Sequence, residues 1–244
     1  MKSCNLNKTV YVIHVSKGYE ERARHIESML LKMGIEFQYI LEGDKENIDS
    51  YVLDKYFSGE MHTLSSATSC ALKHLLAYKK IIENKLEGAL ILEDDIILSK
   101  NFNSFFQKCL NEKTEKGIKD ILLSFENTNL QFVSGSERKK SQHLYRASRD
   151  RYAGCYYITS GCAKSILDYV DNNKCHLPID RFHTFLIDKI GLPYYWSHPT
   201  VATQGSKTGL FRSSISLKDF NRKLYLQLSH PFKLFYKRML YRLR

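Results

Sequence analysis

Residues 89–98, which read ALILEDDIIL, constrain the fold more than any other part of the chain. The apolar run predicts a buried strand, and three carboxylates follow where it ends. Because side chains alternate along a strand, Glu93 and Asp95 are expected on one side and Asp94 on the other. Neighbouring carboxylates favour a divalent cation with oxygen ligands between them. The pattern predicts a metal site, with solvated surface acids as the alternative.

The segments around this strand alternate in the order of an α/β domain. Residues 9–15 (TVYVIHV) predict a buried strand, residues 23–33 predict an amphipathic helix, and residues 35–41 predict a strand that ends in Glu42, Gly43 and Asp44. Ser65 or Ser66 is expected to cap a helix. Further strands are predicted at 120–125 and 152–159, with a helix at 161–170. Residues 135–151 are predicted to be a mobile loop.

The positive charge is concentrated at the end of the chain. The net charge is +11, and residues 205–244 contain ten Lys or Arg and one acidic residue, Asp219. One helical face of residues 231–244 is apolar: Phe232, Phe235, Tyr236, Met239, Leu240 and Leu243. A basic amphipathic helix predicts contact with an anionic membrane surface, and docking on the protein's own body is the alternative.

The chain shows neither a signal-peptide pattern nor eighteen consecutive apolar residues, so we expect a cytoplasmic protein. Its six cysteines are scattered, without the two-residue spacing of zinc or redox sites. We therefore predict reduced thiols with no metal-cage role.

Six blocks in order resemble glycosyltransferase family 25, whose members build lipooligosaccharide in Gram-negative bacteria. The blocks cover residues from about 9 to 215: VYVIHVSKGYEERARHIESML, CALKHLLAYKKIIE, ALILEDDIIL, AGCYYITSGCAKSIL, PID at 178–180, and HPTVATQ. The resemblance implies a single Rossmann-like α/β domain of the metal-dependent, A-type glycosyltransferase kind at residues 1–215. A basic amphipathic helical tail at 216–244 completes the expected organisation.

The resemblance also implies an activity and a set of site residues. The expected reaction is inverting transfer of a hexose, most often galactose from UDP-galactose, in β linkage onto a lipooligosaccharide acceptor, with Mn²⁺ as the metal. Glu93 and Asp95 become metal ligands, and Asp180 becomes the candidate base. Candidate donor-binding residues are Val15, Ser16, Arg22, Glu42, His74 and Asp94. Gln204 and Ser206, in a polar loop, are candidates for recognising sugar hydroxyls.

Two blocks depart from the family pattern. His14, Val15 and Ser16 stand where members usually have Asn-Leu-Asp, and residues 66–69 (SATS) replace a Gly-Glu-x-Gly block. Both departures fall in the expected donor pocket.

Two other function classes stay open at this point. A metal-dependent nuclease would use the carboxylates for metal and the tail for phosphate. A non-enzymatic membrane-binding module would use the tail alone. The leading hypothesis places the enzyme at the cytoplasmic face of the bacterial inner membrane and expects no nucleic-acid partner.

Overall fold

The computed structural model describes residues 8–211 and 220–243. The strands are β1 Thr9–Ile13, β2 Gln38–Ile40, β3 Gly88–Glu93, β4 Ile96–Leu98, β5 Leu122–Ser124, β6 Leu144–Arg146, β7 Cys155–Thr159, β8 Tyr194–Ser197 and β9 Ala202–Gln204. The α-helices are α1 Glu20–Lys32, α2 Ser50–Tyr56, α3 Ser66–Glu83, α4 Phe102–Glu115, α5 Ser160–Asn173, α6 Ile179–Ile190, α7 Gly205–Thr208 and α8 Phe220–Leu243.

Seven strands form one mixed sheet in the order β2-β1-β3-β7-β5-β8-β6. β1 pairs in parallel with β2 and β3, and β5 pairs in parallel with β8. β7 is antiparallel to β3 and β5, and β6 is antiparallel to β8. Five of the seven strands therefore run in one direction, and the predicted α/β domain is confirmed.

Helices cover both faces of this sheet, and alternation along β1 and β3 divides the core in two. Val10 and Leu90 belong to the cluster that includes residues of α1 and α4. Tyr11 and Ile91 belong to the cluster that includes residues of α3, α5 and α6. Because both faces are covered, these strands read as continuous apolar runs in the sequence.

The single strand predicted at 89–98 is divided in the structure. β3 ends at Glu93, Asp94 and Asp95 form a turn, and β4 pairs with β9 in a separate two-stranded sheet. The backbone N–H of Gly205 donates to the Asp95 carbonyl at 2.7 Å. The turn therefore joins the acidic residues to a segment more than a hundred positions later.

The loop predicted at 135–151 is more ordered than its polar composition indicates. It contains β6, on the edge of the main sheet, and it ends in Arg151, whose side chain is fully buried. The Arg151 guanidinium stacks over the Trp196 ring at 4.2 Å and donates to the Ser197 carbonyl at 2.9 Å. Contacts with β8, rather than local sequence, order this segment.

The described part of the tail is one helix, α8, with Pro231 inside it. The Tyr241 ring packs against Phe132 at 5.7 Å, and the Arg138 guanidinium donates to the Tyr241 carbonyl at 3.4 Å. Residues 216–219 and Arg244, which were included in the predicted tail, lie outside the described residues. In the part of the chain that is described, no helix is both long and apolar enough to cross a membrane.

Candidate active site

The acidic cluster, defined as Glu93, Asp94 and Asp95, lies at the carboxyl end of β3. β1 lies beside β3 and ends at the same edge, where Ile13 pairs with Glu93. Ligand sites of parallel α/β sheets form outside the carboxyl ends of the strands. The cluster therefore occupies the edge of the sheet where a site is expected.

Asp94 is held by two basic side chains from the β1–α1 region. Its Oδ2 lies 2.8 Å from His14 Nδ1, and its Oδ1 accepts from Arg22 Nη1 at 3.0 Å. Burial acts against the charge of Arg22, but Asp95 and Asp94 outweigh burial and raise the pKa of its guanidinium. Asp94 thus fixes the position of Arg22 at the site.

Glu93 and Asp95 are hydrogen-bonded to the last residue of β9 and to the segment that follows it, respectively. Glu93 Oε2 accepts from Gln204 Nε2 at 3.1 Å, and Asp95 Oδ2 accepts from the backbone N–H of Ser206 at 3.0 Å. The second oxygen of Asp95, Oδ1, is buried without a hydrogen-bond partner. Gln204 and Ser206, for which contacts with sugar hydroxyls were predicted, therefore fix the acidic cluster.

Two adjacent cavities open on either side of the acidic cluster. The β1 cavity, about 190 Å³, is bounded by residues of the β1–α1 loop and α3, including Val15 and Asp94. The α6 cavity, about 410 Å³, is bounded by residues around the start of α6 and by Asp95, Gln204 and Ser206. Arg22, Cys70 and Glu93 line both. A ligand that extends through both cavities would pass directly over Glu93.

Asp180 lines the α6 cavity from the first turn of α6. Its Oδ1 accepts from the backbone N–H of Arg181 at 2.8 Å. Burial, with Asp150 nearby, raises the pKa of Asp180 although the Arg181 backbone opposes the shift. A carboxylate with a raised pKa is a stronger base than ordinary aspartate.

The surroundings of Glu93 raise the pKa of its carboxyl group. Burial raises its pKa first, and the Asp95 and Asp94 carboxylates raise it further, while Arg22 acts in the opposite direction. This direction indicates that the cluster lacks sufficient positive charge. Together with the unpartnered Asp95 Oδ1, it makes Glu93 and Asp95 candidate oxygen ligands for a divalent cation.

Three of the residues predicted to bind the sugar donor line neither cavity: Ser16, His74 and Glu42. The Ser16 backbone N–H donates to Asp44 Oδ2 at 3.0 Å, and Ser16 lines neither cavity. His74 is fully buried behind Glu93, also outside both linings. The Glu42 carboxylate is exposed and pairs with Lys80 at 3.0 Å, so the structure does not bring it to the site. Gly43, with φ +89°, turns the chain between Glu42 and Asp44.

Sequence reasoning missed a buried ion pair under the β1 cavity. Lys73 Nζ lies 2.8 Å from Asp44 Oδ1, and both side chains are buried. Burial acts against the Asp44 charge, but hydrogen bonds from Lys73 and Ser16 outweigh it and lower its pKa. Lys73 lies on α3 three residues after Cys70, and this helical spacing was the available signal. The cavities also contain basic residues that were not predicted: Lys17, Lys45, Arg181 and Lys207.

Glu126, just beyond β5, is a fully buried carboxyl group beside the site. Its Oε1 accepts from the Cys155 backbone N–H at 2.9 Å, and its Oε2 shares a 2.6 Å hydrogen bond with the Thr128 hydroxyl. Burial raises its pKa well above the ordinary value, and Glu93 adds to the shift. We infer that Glu126 keeps its proton to a higher pH than an ordinary glutamate does.

Glu126→Gln is therefore expected to gain stability relative to the wild type as the pH rises. The folded protein keeps a proton that the unfolded chain releases above the ordinary pKa of 4.5. The wild-type free energy of unfolding should fall above that pH, by up to about 1.4 kcal/mol per pH unit, whereas an amide cannot ionise. Urea denaturation from about pH 5 to about pH 8 measures the difference. Glu83→Gln, at the exposed end of α3, is the control, and parallel profiles for Glu126→Gln and wild type would contradict the inference.

Comparisons with known proteins point to one family. The chain is 28% identical over 110 residues to the lipooligosaccharide biosynthesis protein lex-1 of Haemophilus influenzae. That alignment includes 42% of this chain, and it spans only 36% of the length of the relative.

Solved structures with a similar arrangement have low identity and low structural overlap. A glycosyltransferase involved in the glycosylation of the major capsid of PBCV-1 has 12% identity and a TM-score of 0.44, with 90% of this chain and 98% of that chain covered. The catalytic domain of Drosophila β1,4-galactosyltransferase 7, in complex with xylobiose, has 9% identity and a TM-score of 0.41, with 90% and 79% covered.

The family assignment comes from the sequence rather than from these structures. The model of glycosyltransferase family 25, described as an LPS biosynthesis protein family, matches residues 7–183, which is most of the chain. The match includes the acidic cluster, α3 and Asp180. The chain therefore belongs to glycosyltransferase family 25.

Proposed function

We propose that this protein is a glycosyltransferase that transfers a hexose from a nucleotide-diphosphate sugar to a lipooligosaccharide. The proposed donor is UDP-galactose, and the proposed reaction is inverting, with a β linkage formed. One observation carries the proposal: the acidic cluster lies between two cavities that share Arg22 and Glu93. That arrangement suits a ligand with a nucleotide at one end, a diphosphate in the middle and a sugar at the other.

We assign the nucleotide to the β1 cavity, because it lies at the carboxyl ends of β1 and β3. Lys17, Lys45 and Arg22 supply positive charge along its lining, and Arg22 reaches the boundary with the second cavity. A guanidinium can bind phosphate oxygens through paired donors. Val15 lines the cavity, and Ser16 and Asp94 act indirectly, by fixing the loop and Arg22.

We assign a divalent metal, with Mn²⁺ as the first choice, to Glu93 and Asp95. The buried and unpartnered Asp95 Oδ1 supports this assignment, because a cation would satisfy it. When bound, the metal would neutralise charge on the departing diphosphate. Ser206 and Gln204 hold one oxygen of each carboxylate and so fix their orientation.

We assign the sugar and the acceptor to the α6 cavity, with Asp180 as the base. Inversion requires a carboxylate that takes the proton of the attacking acceptor hydroxyl. Asp180 lines the same cavity as Asp95, and its raised pKa strengthens it as a base. Gln204 and Ser206 remain candidates for contacts with sugar hydroxyls.

Thermal unfolding with a panel of UDP-sugars, with and without Mn²⁺, tests this function. A ligand at about 100 times its Kd stabilises the folded state by about 2.7 kcal/mol, so UDP-galactose with Mn²⁺ should raise Tm by about 5–10 °C. Arg22→Met should abolish most of the shift because it removes the proposed phosphate contact. The absence of a shift with every UDP-sugar would contradict the proposal.

We further propose that α8 attaches the enzyme to the cytoplasmic face of the inner membrane. Phe232 and Leu243 are 78% and 82% exposed, and Phe235, Tyr236 and Met239 are also exposed. Lys233, Lys237 and Arg242 lie exposed on the same helix. Apolar side chains among basic ones are typical of helices that lie in the interface of an anionic membrane. A membrane-bound acceptor would then lie close to the site.

Replacing both Phe232 and Phe235 with serine is expected to weaken binding to anionic vesicles at least about 100-fold, since each buried phenylalanine contributes about 1.5–3 kcal/mol. Vesicle cosedimentation at several salt concentrations measures the effect. Leu31→Ser is the matched control, because Leu31 is 81% exposed on a different helix, α1. Equal binding by the double variant and the wild type would exclude α8 as the anchor.

A further inference from the structure

Cys70, His74 and Glu93 form a cluster whose chemistry differs from that of the acidic cluster. Cys70 Sγ, His74 Nε2 and a Glu93 carboxylate oxygen all lie within 4.8 Å of one another. His74 Nε2 is 3.6 Å from Glu93 Oε1, and Cys70 Sγ is 3.9 Å from the same oxygen. Zinc bound by sulfur, nitrogen and oxygen ligands at about 2.0–2.3 Å separates them by about 3.3–3.6 Å. Small side-chain shifts would bring the three atoms to that spacing.

Two elements fix the cluster. Cys70 and His74 are four residues apart on α3 and therefore lie on one face of the helix. Glu93 is the last residue of β3, so its side chain faces α3 at the edge of the sheet. The scattered cysteines gave no metal pattern in the sequence, because the third group comes from another element.

His74 Nε2 is buried and has no hydrogen-bond partner. The His74 side chain is fully buried, and 3.6 Å is too long for a hydrogen bond to Glu93. An unpaired polar atom in the interior costs about 1–3 kcal/mol. A metal ion between His74 and Glu93 would remove this cost.

The other ring nitrogen of His74 is held in the manner typical of a metal ligand. Nδ1 lies 2.7 Å from the Tyr156 hydroxyl, which lies 2.5 Å from the Tyr78 hydroxyl, which lies 2.8 Å from His183 Nε2. If Nδ1–H donates into this chain, each hydroxyl donates to the next group and His183 Nε2 accepts. That order leaves the lone pair of His74 Nε2 directed at the cluster. Histidine ligands commonly donate their second N–H in this way.

We propose that Cys70, His74 and Glu93 form a second metal site, selective for a thiophilic divalent ion such as Zn²⁺. A thiolate ligand distinguishes such ions from Mg²⁺ and Mn²⁺, which prefer oxygen. Because Cys70 and Glu93 line both cavities, the ion would have its open coordination position toward the ligand space. Its binding would also withdraw Glu93 from Asp95, so zinc inhibits transfer. The inhibition rests on the proposed function, whereas the binding does not.

Cobalt(II) spectroscopy of the metal-free protein tests the binding without any assay of activity. One equivalent of Co²⁺ should produce a thiolate-to-cobalt charge-transfer band and the visible bands of tetrahedral cobalt, and Zn²⁺ should displace both. Cys70→Ser should lose the charge-transfer band, and Glu93→Gln should weaken binding by at least about tenfold. Cys109→Ala should keep the band, because Cys109 lies on α4, in the core cluster on the opposite face of the sheet from Cys70.

Two outcomes overturn the binding proposal: no band in the wild type, or a band that persists in Cys70→Ser. Circular dichroism and thermal unfolding check that each variant is folded. If Cys70→Ser is not folded, metal binding by Glu93→Gln tests the proposal in its place.

The inhibition is tested by the ratio of transfer rates with and without Zn²⁺, at saturating Mn²⁺. We expect at least about tenfold inhibition of the wild type and less than about twofold for Cys70→Ser. Equal ratios would overturn the inhibition, and a wild type without transferase activity would refute the proposed function while leaving the spectroscopic result intact.

Discussion

Asp95→Ala is expected to lower the transfer rate at least about 1,000-fold while the protein remains folded. Asp95 combines a buried, unpartnered Oδ1 with an Oδ2 held by the Ser206 backbone, so its carboxylate is fixed and still has capacity for a cation. Loss of a group that stabilises the leaving diphosphate removes several kcal/mol of transition-state stabilisation. The measurement is kcat for sugar transfer from UDP-galactose, and excess chelator should reproduce the loss in the wild type.

The fold should survive this change, because it removes negative charge from a crowded cluster. The remaining Glu93 and Asp94 still have Arg22 nearby. Asp168→Ala is the matched control, because the Asp168 carboxylate is exposed on α5 and accepts from Lys164 of the same helix. Full activity of Asp95→Ala, or of the wild type in excess chelator, would exclude the metal from the mechanism.

Asp180→Asn is expected to lower kcat by about 100- to 10,000-fold, the range in which general bases contribute, and to change donor affinity by less than about twofold. The asparagine keeps the size of the side chain and its acceptor for the Arg181 backbone N–H, but it cannot take a proton. Steady-state kinetics together with direct measurement of UDP-galactose binding separate the two effects.

The pH profile gives an independent check on Asp180. A base must be ionised to act, so activity is lost as the pH falls through its pKa, and the raised pKa of Asp180 moves this acid limb upward from its ordinary position. Asp180→Asn should remove the limb. Asp188→Asn, on the exposed side of the same helix, is the matched control. A parallel loss of donor binding in Asp180→Asn would reassign the residue to donor recognition.

The central part of the fold was predictable because burial on both faces leaves a simple pattern. β1 and β3 read as apolar runs, and Ser65 caps α3 by accepting from the Thr68 backbone N–H, as predicted. β6 was not predictable, because its pairing partner β8 lies some fifty residues further along the chain. Arg151 is buried by stacking on Trp196, a contact that no local polar pattern indicates.

Candidate residues of the site were predictable where strand geometry determines the direction of the side chain. Glu93 and Asp95 do line the same cavity, as alternation indicated, although a turn rather than a continued strand places Asp95. Glu42 was predicted at the site, but the direction of a side chain after a strand depends on the turn. Gly43 turns the chain so that Asp44, and not Glu42, points into the protein and pairs with Lys73. Gln204 donates a hydrogen bond to Glu93 because β9 pairs with β4. No local sequence pattern indicates this pairing, since the two strands lie far apart in the chain.

The two cavities are lined by different stretches of the chain, and the β4–β9 pairing brings the later stretch to the site. The β1 cavity is built from residues up to Asp94, whereas the opposite wall of the α6 cavity includes Gln204 to Lys207, beyond the last residue of the family match. Under the proposed function, substitutions in this wall would change the cavity assigned to the sugar and the acceptor without changing any residue that lines the β1 cavity. The sequence determinants of nucleotide binding and of saccharide binding would then lie in different stretches of the chain.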